Sequence, residues 1–407
     1  MHIAVFSQYH TNPDCPATSR HYSLLAQLAR HHRVTLITTR TWERQRLTQE
    51  FAWVPEGVEL HAADVPYENR MGVARRGLAF AQYAAYAVHQ GLRIARPDVI
   101  WGISTPLTAA WAAAQVARWR RVPWVFEVQD LWPSFPIAMG AVPNRLARQQ
   151  LFRMEAQLYQ QATAIVTLSP DMTEYVQAVG KKSPRSFGSQ KVYTLLNGTD
   201  LELAARATNE TVEALRREWQ LQGKRVVLYA GTFGRANDIP LLLEAAVLLA
   251  PTCPNVVWVF MGHGYFDAQL AQAAARHPYI RVVPPQPRHA VFSWFRLAII
   301  SVAPFLGLPV LDANSPAKFY DSLVVGTPVV VTNPGWTKRF VEQHRCGWYS
   351  PASDAPALAQ LLAQVLANSA QVLAAGEQGK TVARQEFDRQ LIGARMQQIL
   401  QSAAERR

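Results

Sequence analysis

The sequence predicts an α/β protein made of two doubly wound domains, one following the other. Three observations lead to this prediction: strands and helices alternate along the chain, a polar connection separates two such series, and the composition supports two cores. The chain has 407 residues, of which 49% are hydrophobic, enough for about two ordinary domains. Only 17% are charged, which excludes a disordered chain.

The first series of strands covers the first half of the chain. Short runs rich in Val, Ile, Thr and aromatic residues predict strands at Ile3–Ser7, Val34–Thr38, Val99–Ile103, Trp124–Val128, Ala164–Leu168 and Lys191–Leu195. Helical stretches between them include Ser19–His31 and Leu107–Arg118. This alternation predicts a mostly parallel sheet with helices on both faces.

The second series follows a polar, helix-like connection at Thr208–Gln222. Its predicted strands are Val226–Ala230, Val256–Met261, Ile280–Val283, Ile299–Ala303 and Pro328–Thr332, with helices that include Pro240–Leu249 and Phe266–Ala275. The basic segment Lys181–Gln190 contains Pro, Ser and Gly and predicts an exposed loop at the domain border. We therefore expect domains over residues 1–190 and 191–380, followed by a helical tail over residues 381–407.

Charge and targeting features narrow the classes of partner and location. The net charge of +12 favours an anionic partner, which is nucleic acid, anionic lipid or a phosphorylated substrate. Cys15, Cys253 and Cys346 match no metal or redox spacing, as is typical of a reduced cytosolic setting. The N-terminus enters a strand directly and lacks a signal peptide, and no apolar run approaches the roughly 18–20 residues of a membrane span. We expect a cytoplasmic protein that is not integral to a membrane.

Two strand ends in the second series carry groups suited to a phosphorylated ligand. In the stretch Tyr229–Arg235, Gly231 and Gly234 lie on either side of Thr232 and allow backbone amides to approach a ligand. The guanidinium group of Arg235 is suited to bind two phosphate oxygens at once. An ordinary turn with a solvated arginine explains that stretch equally well.

In Asn314–Asp321, Lys318 is suited to offset diphosphate charge and Asp321 to accept hydrogen bonds from hydroxyl groups. The alternative for Asp321 is an acid that complements the helix dipole.

Two further strand ends are candidates for the same crevice. Glu127 and Asp130 lie three residues apart at the end of a predicted buried strand, beside Trp132. Carboxylates are rarely buried unless they are paired or functional, which favours a site there. Gly262, His263 and Gly264 follow another strand, and either a ligand contact or a simple turn accounts for them.

Taken together, these motifs resemble glycosyltransferase family 4, the retaining enzymes of GT-B fold. The resemblance is closest to the fucosamine transferase-like branch of bacterial O-antigen and polysaccharide assembly. It rests on Ser104–Thr108, Phe126–Pro133, Leu168–Met172, Leu196–Asp200, Tyr229–Arg235, Met261–Gly264, Ser315–Asp321 and Gly326–Val330, which occur in the family's order and span nearly the whole chain.

The resemblance implies retaining transfer of a sugar from a nucleotide diphosphate sugar, with UDP-N-acetylhexosamine expected from the branch. It implies that Arg235 and Lys318 hold the diphosphate, that Asp321 meets the ribose, and that His263 and Gly264 lie near the base. Glu127 and Asp130 would face the donor sugar or acceptor. The final helix would pack back on the N-terminal domain, and the nucleotide sugar is a substrate, so no cofactor is required. We expect no metal, since no Asp-x-Asp pair occurs in the chain.

The sequence departs from the family pattern at several positions. The family's paired glutamates are replaced by Asp312 and Asp321, which leaves Asp312 as the candidate for the sugar-binding and catalytic carboxylate. Gln129 stands where many relatives have a histidine and cannot act as a base, and Asn237 replaces a basic residue. The Gly-Gly turn after the first strand is replaced by a segment that contains Tyr9 and His10. With Arg20 and Trp132, these two residues form the expected acceptor side.

The stretch Arg70–Arg96 has five arginines, several aromatic residues and no acid. Such a helix suits the surface of an anionic membrane and hence a lipid-linked acceptor, on the inner face of the cytoplasmic membrane. A domain helix that packs on the sheet is the alternative.

Three other functions account for fewer of these features. A nucleotide-sugar epimerase or hydrolase of the same fold is the main alternative, although it leaves the basic helix unexplained. Nucleic acid is not expected as a partner, because recognised binding modules are missing. An NAD enzyme is disfavoured, because no Gly-x-Gly-x-x-Gly follows the first strand.

Overall fold

The computed structural model describes residues 1–68, 71–181 and 191–406. It confirms the predicted α/β fold of two parallel, Rossmann-like sheets. The strands are β1 (His2–Phe6), β2 (Arg33–Thr39), β3 (Val58–Ala63), β4 (Val99–Ile103), β5 (Trp124–Val128), β6 (Ala164–Thr167), β7 (Val192–Thr194), β8 (Arg225–Ala230), β9 (Val256–Met261), β10 (Ile280–Val283), β11 (Ile300–Ala303), β12 (Val329–Val331) and β13 (Gly347–Tyr349).

Helices connect the strands on both faces of each sheet. They are α1 (Arg20–Ala29), α2 (Val73–Arg93), α3 (Leu107–Arg120), α4 (Ser134–Ala138), α5 (Arg145–Gln161), α6 (Pro170–Lys181), α7 (Leu201–Ala205), α8 (Asn209–Glu218), α9 (Ile239–Leu249), α10 (Asp267–Arg276), α11 (Arg288–Leu297), α12 (Pro309–Asp312), α13 (Ala317–Val324), α14 (Trp336–His344), α15 (Ala355–Ala367), α16 (Ser369–Glu386) and α17 (Arg389–Glu405).

In the described residues, the N-terminal sheet has seven strands in the order β3-β2-β1-β4-β5-β6-β7, all parallel. Helices α2, α3 and α5 pack side by side over one face, on a core that contains Phe6 and Phe126. The central strands are buried throughout, which is why runs of apolar residues predicted them. The edge strand β3 was not predicted, because most of its residues are only half-buried and it lacks an apolar run.

Over residues 191–406, the structure shows a C-terminal sheet of six parallel strands in the order β10-β9-β8-β11-β12-β13. Its chain order reverses between β8 and β11, so the carboxyl ends of these two strands flank a crevice. Strand β13 was not predicted either, because it has only three residues, all of them half-buried.

The last two helices pass from the second domain to the first. Helix α16 packs on α13, whereas α17 contacts α1, β4 and β5. Ile392, Met396 and Leu400 of α17 are buried in the N-terminal core. Gln27 of α1 donates a hydrogen bond of 2.8 Å to the carbonyl oxygen of Arg389.

The carboxyl ends of the two sheets face each other and contact directly. Ser169 Oγ donates to the carbonyl oxygen of Ala313 at 2.6 Å, and Asn197 donates to that of Ser315 at 3.1 Å. Asp171 accepts a hydrogen bond of 2.9 Å from the amide of Trp336. These contacts join the two domains beside the cleft between them.

Two sequence expectations fall at the edges of the described residues. Residues 182–190 of the predicted border loop lie outside the described part of the chain. Arg70 of the basic stretch lies outside it as well. Among the described helices, none alone is long and apolar enough to cross a bilayer. Helices α15 and α16 meet that criterion only together, as a pair bent by 97°.

Candidate active site

A cavity of about 490 Å³ lies between the domains, at the carboxyl ends of both sheets. The N-terminal domain lines it with residues 15–18 after β1 and with Gln129 and Asp130 after β5. The C-terminal domain lines it with residues that follow β8, β9 and β10 and with the start of α13. Open parallel sheets bind their ligands at this edge, so the cavity is the candidate active site.

Two glycines allow the ends of β8 and β9 to approach each other beside the cavity. Gly231 and Gly262 have φ values of +147° and +143°. A Cβ on Gly262 would lie 2.0 Å from the carbonyl oxygen of Gly231, and one on Gly231 would lie 3.0 Å from Cε of Lys318. The exposed Thr232 also lines the cavity. Backbone packing therefore requires glycine at position 262, and the positive φ favours glycine at position 231. Both residues line the cavity without a side chain.

The turn that follows β9 borders the cavity only in part. His263 is exposed and lines it. Gly264 pairs with Phe233, and a Cβ on Gly264 would lie 2.8 Å from main-chain atoms of Phe233. Neither Gly264 nor Gly234 lines the cavity, so the position of Gly264 is explained by packing between two loops.

Lys318 extends into the cavity from the first turn of α13. Its Nζ donates to Asn237 Oδ1 at 3.2 Å and lies 5.0 Å from the ring centroid of Tyr229 and 5.5 Å from that of Phe305. Burial lowers the pKa of Lys318 to about 8, against an opposing effect of Asp321. Among the described residues, the direct contacts of this half-buried cation are neutral and Asp321 is a negative charge nearby, so Lys318 is suited to a ligand that brings further negative charge.

Asp321 lies one turn further along α13 and is 1% exposed. Its Oδ1 accepts hydrogen bonds from Arg288 and, at 2.8 Å, from Thr199 Oγ1. Its Oδ2 has no partner among the described residues, although Asp321 lines the cavity. Arg288 also lines the cavity, and its backbone amide donates to the carbonyl oxygen of Pro13 at 2.8 Å. Arg288 thus connects Asp321, on the C-terminal side of the cavity, to the N-terminal domain.

Arg235, the predicted diphosphate ligand, lies outside the cavity lining. Its guanidinium stacks 4.4 Å from the ring centroid of Tyr265 and donates to the Tyr265 hydroxyl at 3.0 Å. Both side chains are exposed. Arg235 would have to leave Tyr265 to contact a ligand next to Lys318.

Glu127 does not face the cavity, contrary to the sequence-based expectation. It is 0% exposed and pairs with Arg20, whose Nε lies 3.3 Å from its Oε1. Burial by itself would raise its pKa, but the charge of Arg20 and hydrogen bonds from His21 and Gln129 lower the pKa to about 2.

Arg20 is equally buried and donates to the carbonyl oxygens of Leu196 and Asn197, at 2.8 Å each. It is placed to hold the end of β5 and the chain after β7, and not to contact an acceptor.

Asp130 is the carboxylate from the N-terminal domain that does line the cavity. Its Oδ2 accepts a hydrogen bond of 3.1 Å from Thr105 Oγ1. Burial raises its pKa above the usual aspartate value. In the described part of the chain, no group of three or more His, Cys, Asp or Glu side chains is arranged to hold a metal ion.

The remaining predicted residues are not in contact with the cavity. Asp312 lies at the end of α12, and burial together with the nearby charge of Asp171 raises its pKa. His10 is 0% exposed and contacts the carbonyl oxygen of Trp53 at 2.9 Å; burial lowers its pKa to about 3. It therefore belongs to the core and cannot contact an acceptor, which corrects the expectation.

Tyr9 and Trp132 are brought together by two further rings. Tyr9 packs on Tyr67 at 4.8 Å between centroids, Tyr67 on Phe80 at 6.0 Å, and Phe80 on Trp132 at 6.0 Å. This aromatic row joins α2 to the loops after β1 and β5. It places both predicted acceptor-side residues beside the helix of the basic stretch.

Sequence reasoning missed Arg288 as a candidate site residue and treated Asn237 and Gln129 only as departures from a pattern. All three line the cavity. Arg288 follows Pro287 at the first position of a helix after a predicted strand, which is the kind of position already singled out for Lys318. A basic residue at the start of a helix that follows a predicted strand is therefore the sequence signal that could have identified Arg288.

Comparisons with known proteins agree with this geometry. A family model described as "Glycosyl transferase 4-like domain" matches residues 17–186, and one described as "Glycosyl transferases group 1" matches residues 224–368. The chain is 23% identical over 322 residues to the probable glycosyltransferase WbjE of Pseudomonas aeruginosa, with 77% of each chain covered.

Solved structures share the fold at low sequence identity. The crystal structure of Anabaena HepE in complex with UDP-glucose matches with a TM-score of 0.72 at 15% identity, over 99% of this chain and 100% of HepE. A putative UDP-N-acetylglucosamine 2-epimerase from Listeria monocytogenes matches with a TM-score of 0.60 at 12% identity, over 98% and 95% of the two chains. Because both halves of the chain match glycosyltransferase models, the protein is a glycosyltransferase of GT-B architecture, with a glycosyl transferase 4-like N-terminal domain and a group 1 C-terminal domain.

Proposed function

We propose that this glycosyltransferase moves a sugar from a nucleotide diphosphate sugar, with retention of configuration, to an acceptor on the N-terminal side of the cavity. The observation that carries the proposal is the position of Lys318, a cation in the cavity wall whose direct contacts, within the described part of the chain, are the neutral side chains of Asn237, Tyr229 and Phe305. The start of α13 and the main chain at Gly231 lie beside it, and helix N-termini favour anions. A diphosphate supplies the charge that this arrangement lacks.

The proposed roles of the other residues follow from their positions around Lys318. Asp321, with one unpartnered buried oxygen, accepts hydrogen bonds from the ribose, and Arg288 holds its other oxygen. His263 lies toward the base. Asp130 and Gln129 face the transferred sugar or acceptor across the cavity. During transfer, Lys318 stabilises the negative charge that develops on the leaving diphosphate.

A uracil nucleotide is the proposed donor base, and an N-acetylhexosamine the proposed sugar. The first is supported by the fold shared with HepE, whose crystal structure holds UDP-glucose. The second, like the fucosamine transferase-like branch, rests on the motif resemblance alone. The assignments of Arg235 to the diphosphate and of Asp312 to the sugar stay predictions, because neither side chain lines the cavity.

The proposed acceptor is a glycan on a lipid carrier, presented at an anionic membrane surface. Helices α2, α3 and α5 lie side by side and contain eight arginines but one acid, Glu155, which is 1% exposed. Their exposed large apolar residues are Val73, Leu78, Trp111, Trp119, Leu146 and Phe152, which are 39–69% exposed. Arginines mixed with aromatic and aliphatic side chains suit the head-group region of an anionic bilayer. We call this surface the basic face.

The basic face adjoins the cleft. Its three helices begin at the carboxyl edge of the sheet, where the cavity lies, and the row Tyr9–Tyr67–Phe80–Trp132 runs from α2 to that edge. A lipid-borne sugar at the membrane would therefore reach the N-terminal side of the cavity. We propose that the protein is peripheral on the inner face of the cytoplasmic membrane.

Sedimentation with vesicles tests the membrane proposal. Each arginine near an anionic surface contributes about 1 kcal/mol, so Arg75→Ser with Arg153→Ser should weaken binding to phosphatidylserine vesicles about thirtyfold. The matched control replaces the exposed Arg276 and Arg384 outside the basic face and should bind as the wild type does. Equal binding to neutral and anionic vesicles, or no binding at all, would contradict the proposal.

Calorimetric titration with UDP, GDP, ADP and TDP, and with their common sugar conjugates, tests the donor proposal. We expect one nucleotide to bind selectively and the Lys318→Ala variant to lose that binding. The absence of binding by every nucleotide would overturn the proposed function. The alternative, a nucleotide-sugar epimerase or hydrolase, predicts instead that the bound nucleotide sugar is consumed when no acceptor is added.

A further inference from the structure

In the described part of the chain, two segments cross between the domains, and they lie side by side. The first follows β7 and leads into α7, and the second joins α16 to α17. In the first crossing, the amide of Thr199 donates to the carbonyl oxygen of Phe387 at 2.8 Å, and the amide of Arg389 donates to the carbonyl oxygen of Thr199 at 3.1 Å. A Cβ on Gly198 would lie 2.7 Å from the carbonyl oxygen of Phe387. The main chains of the two crossings are therefore in direct contact.

The side chain of Arg389 lies between these crossings and the N-terminal domain, and it is 1% exposed. Its Nη1 donates to Ser19 Oγ at 3.2 Å. Its Nη2 donates to Thr18 Oγ1 at 2.9 Å and to the carbonyl oxygen of Gly198 at 3.4 Å. The fork of the guanidinium is thus divided between the loop that precedes α1 and the first crossing.

These contacts continue to both walls of the cavity. Thr18 lines the cavity itself, on the side of the N-terminal domain. Thr199, next to Gly198, donates from its Oγ1 to Asp321 Oδ1 at 2.8 Å, and Asp321 lines the cavity on the side of the C-terminal domain. Arg389 lies outside the cavity lining, yet it contacts one wall directly and the other through the first crossing.

Packing alone gives no reason for a charged group at position 389. Nε of Arg389 is buried and has no hydrogen-bond partner among the described residues. Burial and the charge of Arg288 lower the pKa of Arg389 to about 9, whereas Asp321 and Asp200 act in the opposite direction. A buried cation with an unpaired donor and a like charge nearby is costly, and an apolar side chain of similar volume is often at least as stable. The guanidinium therefore favours a role in the site over a role in the core.

We propose that Arg389 is a positioning residue for donor binding, which sets the separation between Thr18 and Asp321 on the two walls of the cavity. This inference rests on the proposed function, since it needs a nucleotide bound between both walls. Arg389 does not touch the ligand. It acts on one wall through the hydroxyl of Thr18 and on the other through Gly198 and Thr199. The helix that returns to the N-terminal domain thereby contributes to the site as well as to the core.

Arg389→Lys is the first test variant, because lysine keeps the positive charge near Asp321 but has no fork that divides between two partners. The quantity measured is the calorimetric Kd of the nucleoside diphosphate that the wild type binds best among UDP, GDP, ADP and TDP. We expect this Kd to rise about three- to tenfold. The control, Arg395→Lys at an exposed position of the same helix, should bind as the wild type does. A folded Arg389→Lys variant with a Kd within about twofold of the wild type would overturn the inference.

A double-mutant cycle separates positioning from a general loss of stability. Arg389→Met, Thr18→Val and the double variant are compared by the same Kd and by unfolding in urea. If Arg389 acts through Thr18, the changes in log Kd do not add, and the double variant binds about as weakly as Arg389→Met alone. Additive changes would contradict the proposal. A lower free energy of unfolding with an unchanged Kd in Arg389→Met would show a purely structural role.

Ser19→Ala provides a test that does not depend on the folding of the Arg389 variants. Ser19 Oγ contacts Arg389, and Ser19 does not line the cavity. We expect the Kd to rise about threefold in this variant, because Arg389 loses one of its anchors. An unchanged Kd would count against the inference. If the wild type binds none of the four nucleoside diphosphates, the proposed function fails, which is distinct from each of these results.

Discussion

Replacing Lys318 by methionine removes its charge while keeping an aliphatic chain against Tyr229 and Phe305. The wild-type side chain donates to Asn237 at 3.2 Å and, in the part of the chain that the structure describes, has no carboxylate as a hydrogen-bond partner, although Asp321 acts on it through its charge. A diphosphate oxygen in the cavity would therefore be its principal counter-charge. The substitution tests whether this charge serves the reaction or the fold.

The expected loss in turnover is large. Two unit charges 4 Å apart interact by about 4 kcal/mol at an effective dielectric constant of about 20. Removing one preorganised group that stabilises developing charge costs about 2.7–4 kcal/mol. We expect kcat to fall about 100- to 1,000-fold in Lys318→Met. The free energy of unfolding should change by no more than about 1 kcal/mol, because two effects oppose each other. Loss of the hydrogen bond to Asn237 lowers it, and removal of a desolvated charge raises it.

The pH dependence gives the prediction a second readout. Burial lowers the pKa of Lys318 from 10.5 to about 8, so between these values the unfolded state binds more protons than the folded state. Lys318 therefore makes the wild-type free energy of unfolding rise with pH across that window, and this contribution should be absent from Lys318→Met. A diphosphate binds the protonated lysine better, so wild-type UDP affinity should fall as the pH rises above about 8.

Calorimetry of UDP binding from pH 7 to pH 10, with initial rates of sugar transfer, measures these effects. Lys338→Met is the matched control, because Lys338 also lies over an aromatic ring, 4.2 Å from the centroid of Tyr349, but outside the cavity. Turnover of Lys318→Met within threefold of the wild type would remove Lys318 from the reaction. A flat wild-type pH profile of UDP affinity would show that its ammonium group does not contact the diphosphate.

Two further predictions concern the framework of the site. Gly262→Ala should lower the free energy of unfolding in urea by about 1–3 kcal/mol, because a Cβ there would lie 2.0 Å from a main-chain oxygen and the φ value is +143°. Gly72→Ala, with nothing within 4 Å, is its control, and equal effects of the two would refute the steric argument. Arg288→Met should cost about 3–5 kcal/mol in the same assay, because it leaves the carboxylate of Asp321 buried without its cation. Adding Asp321→Asn should recover much of that loss, and no recovery would show that the ion pair is not the cause.

Local sequence patterns predicted the central strands well, because each is a buried apolar run in a parallel sheet. Strands β4, β5, β9 and β10 begin and end at the predicted residues. The edge strands β3 and β13 escaped prediction, since half-exposed residues at a sheet edge carry no continuous apolar signal. Of the polar residues that the sequence singled out, Lys318 and Asp130 line the cavity, and their roles stay predictions.

The sequence by itself thus determined the fold class, the positions of the central strands along the chain and the sheet edge at which polar residues gather, because hydrophobic periodicity and turn chemistry are local properties. Only the tertiary structure decided which polar side chain reaches the cavity. Glu127 and Asp130 are three residues apart, yet the first turns into the core to pair with Arg20, and the second borders the cleft. Arg288 and Asp321 meet although they are 33 residues apart. Pairing and burial of charge depend on neighbours brought together by folding, and no local pattern encodes them.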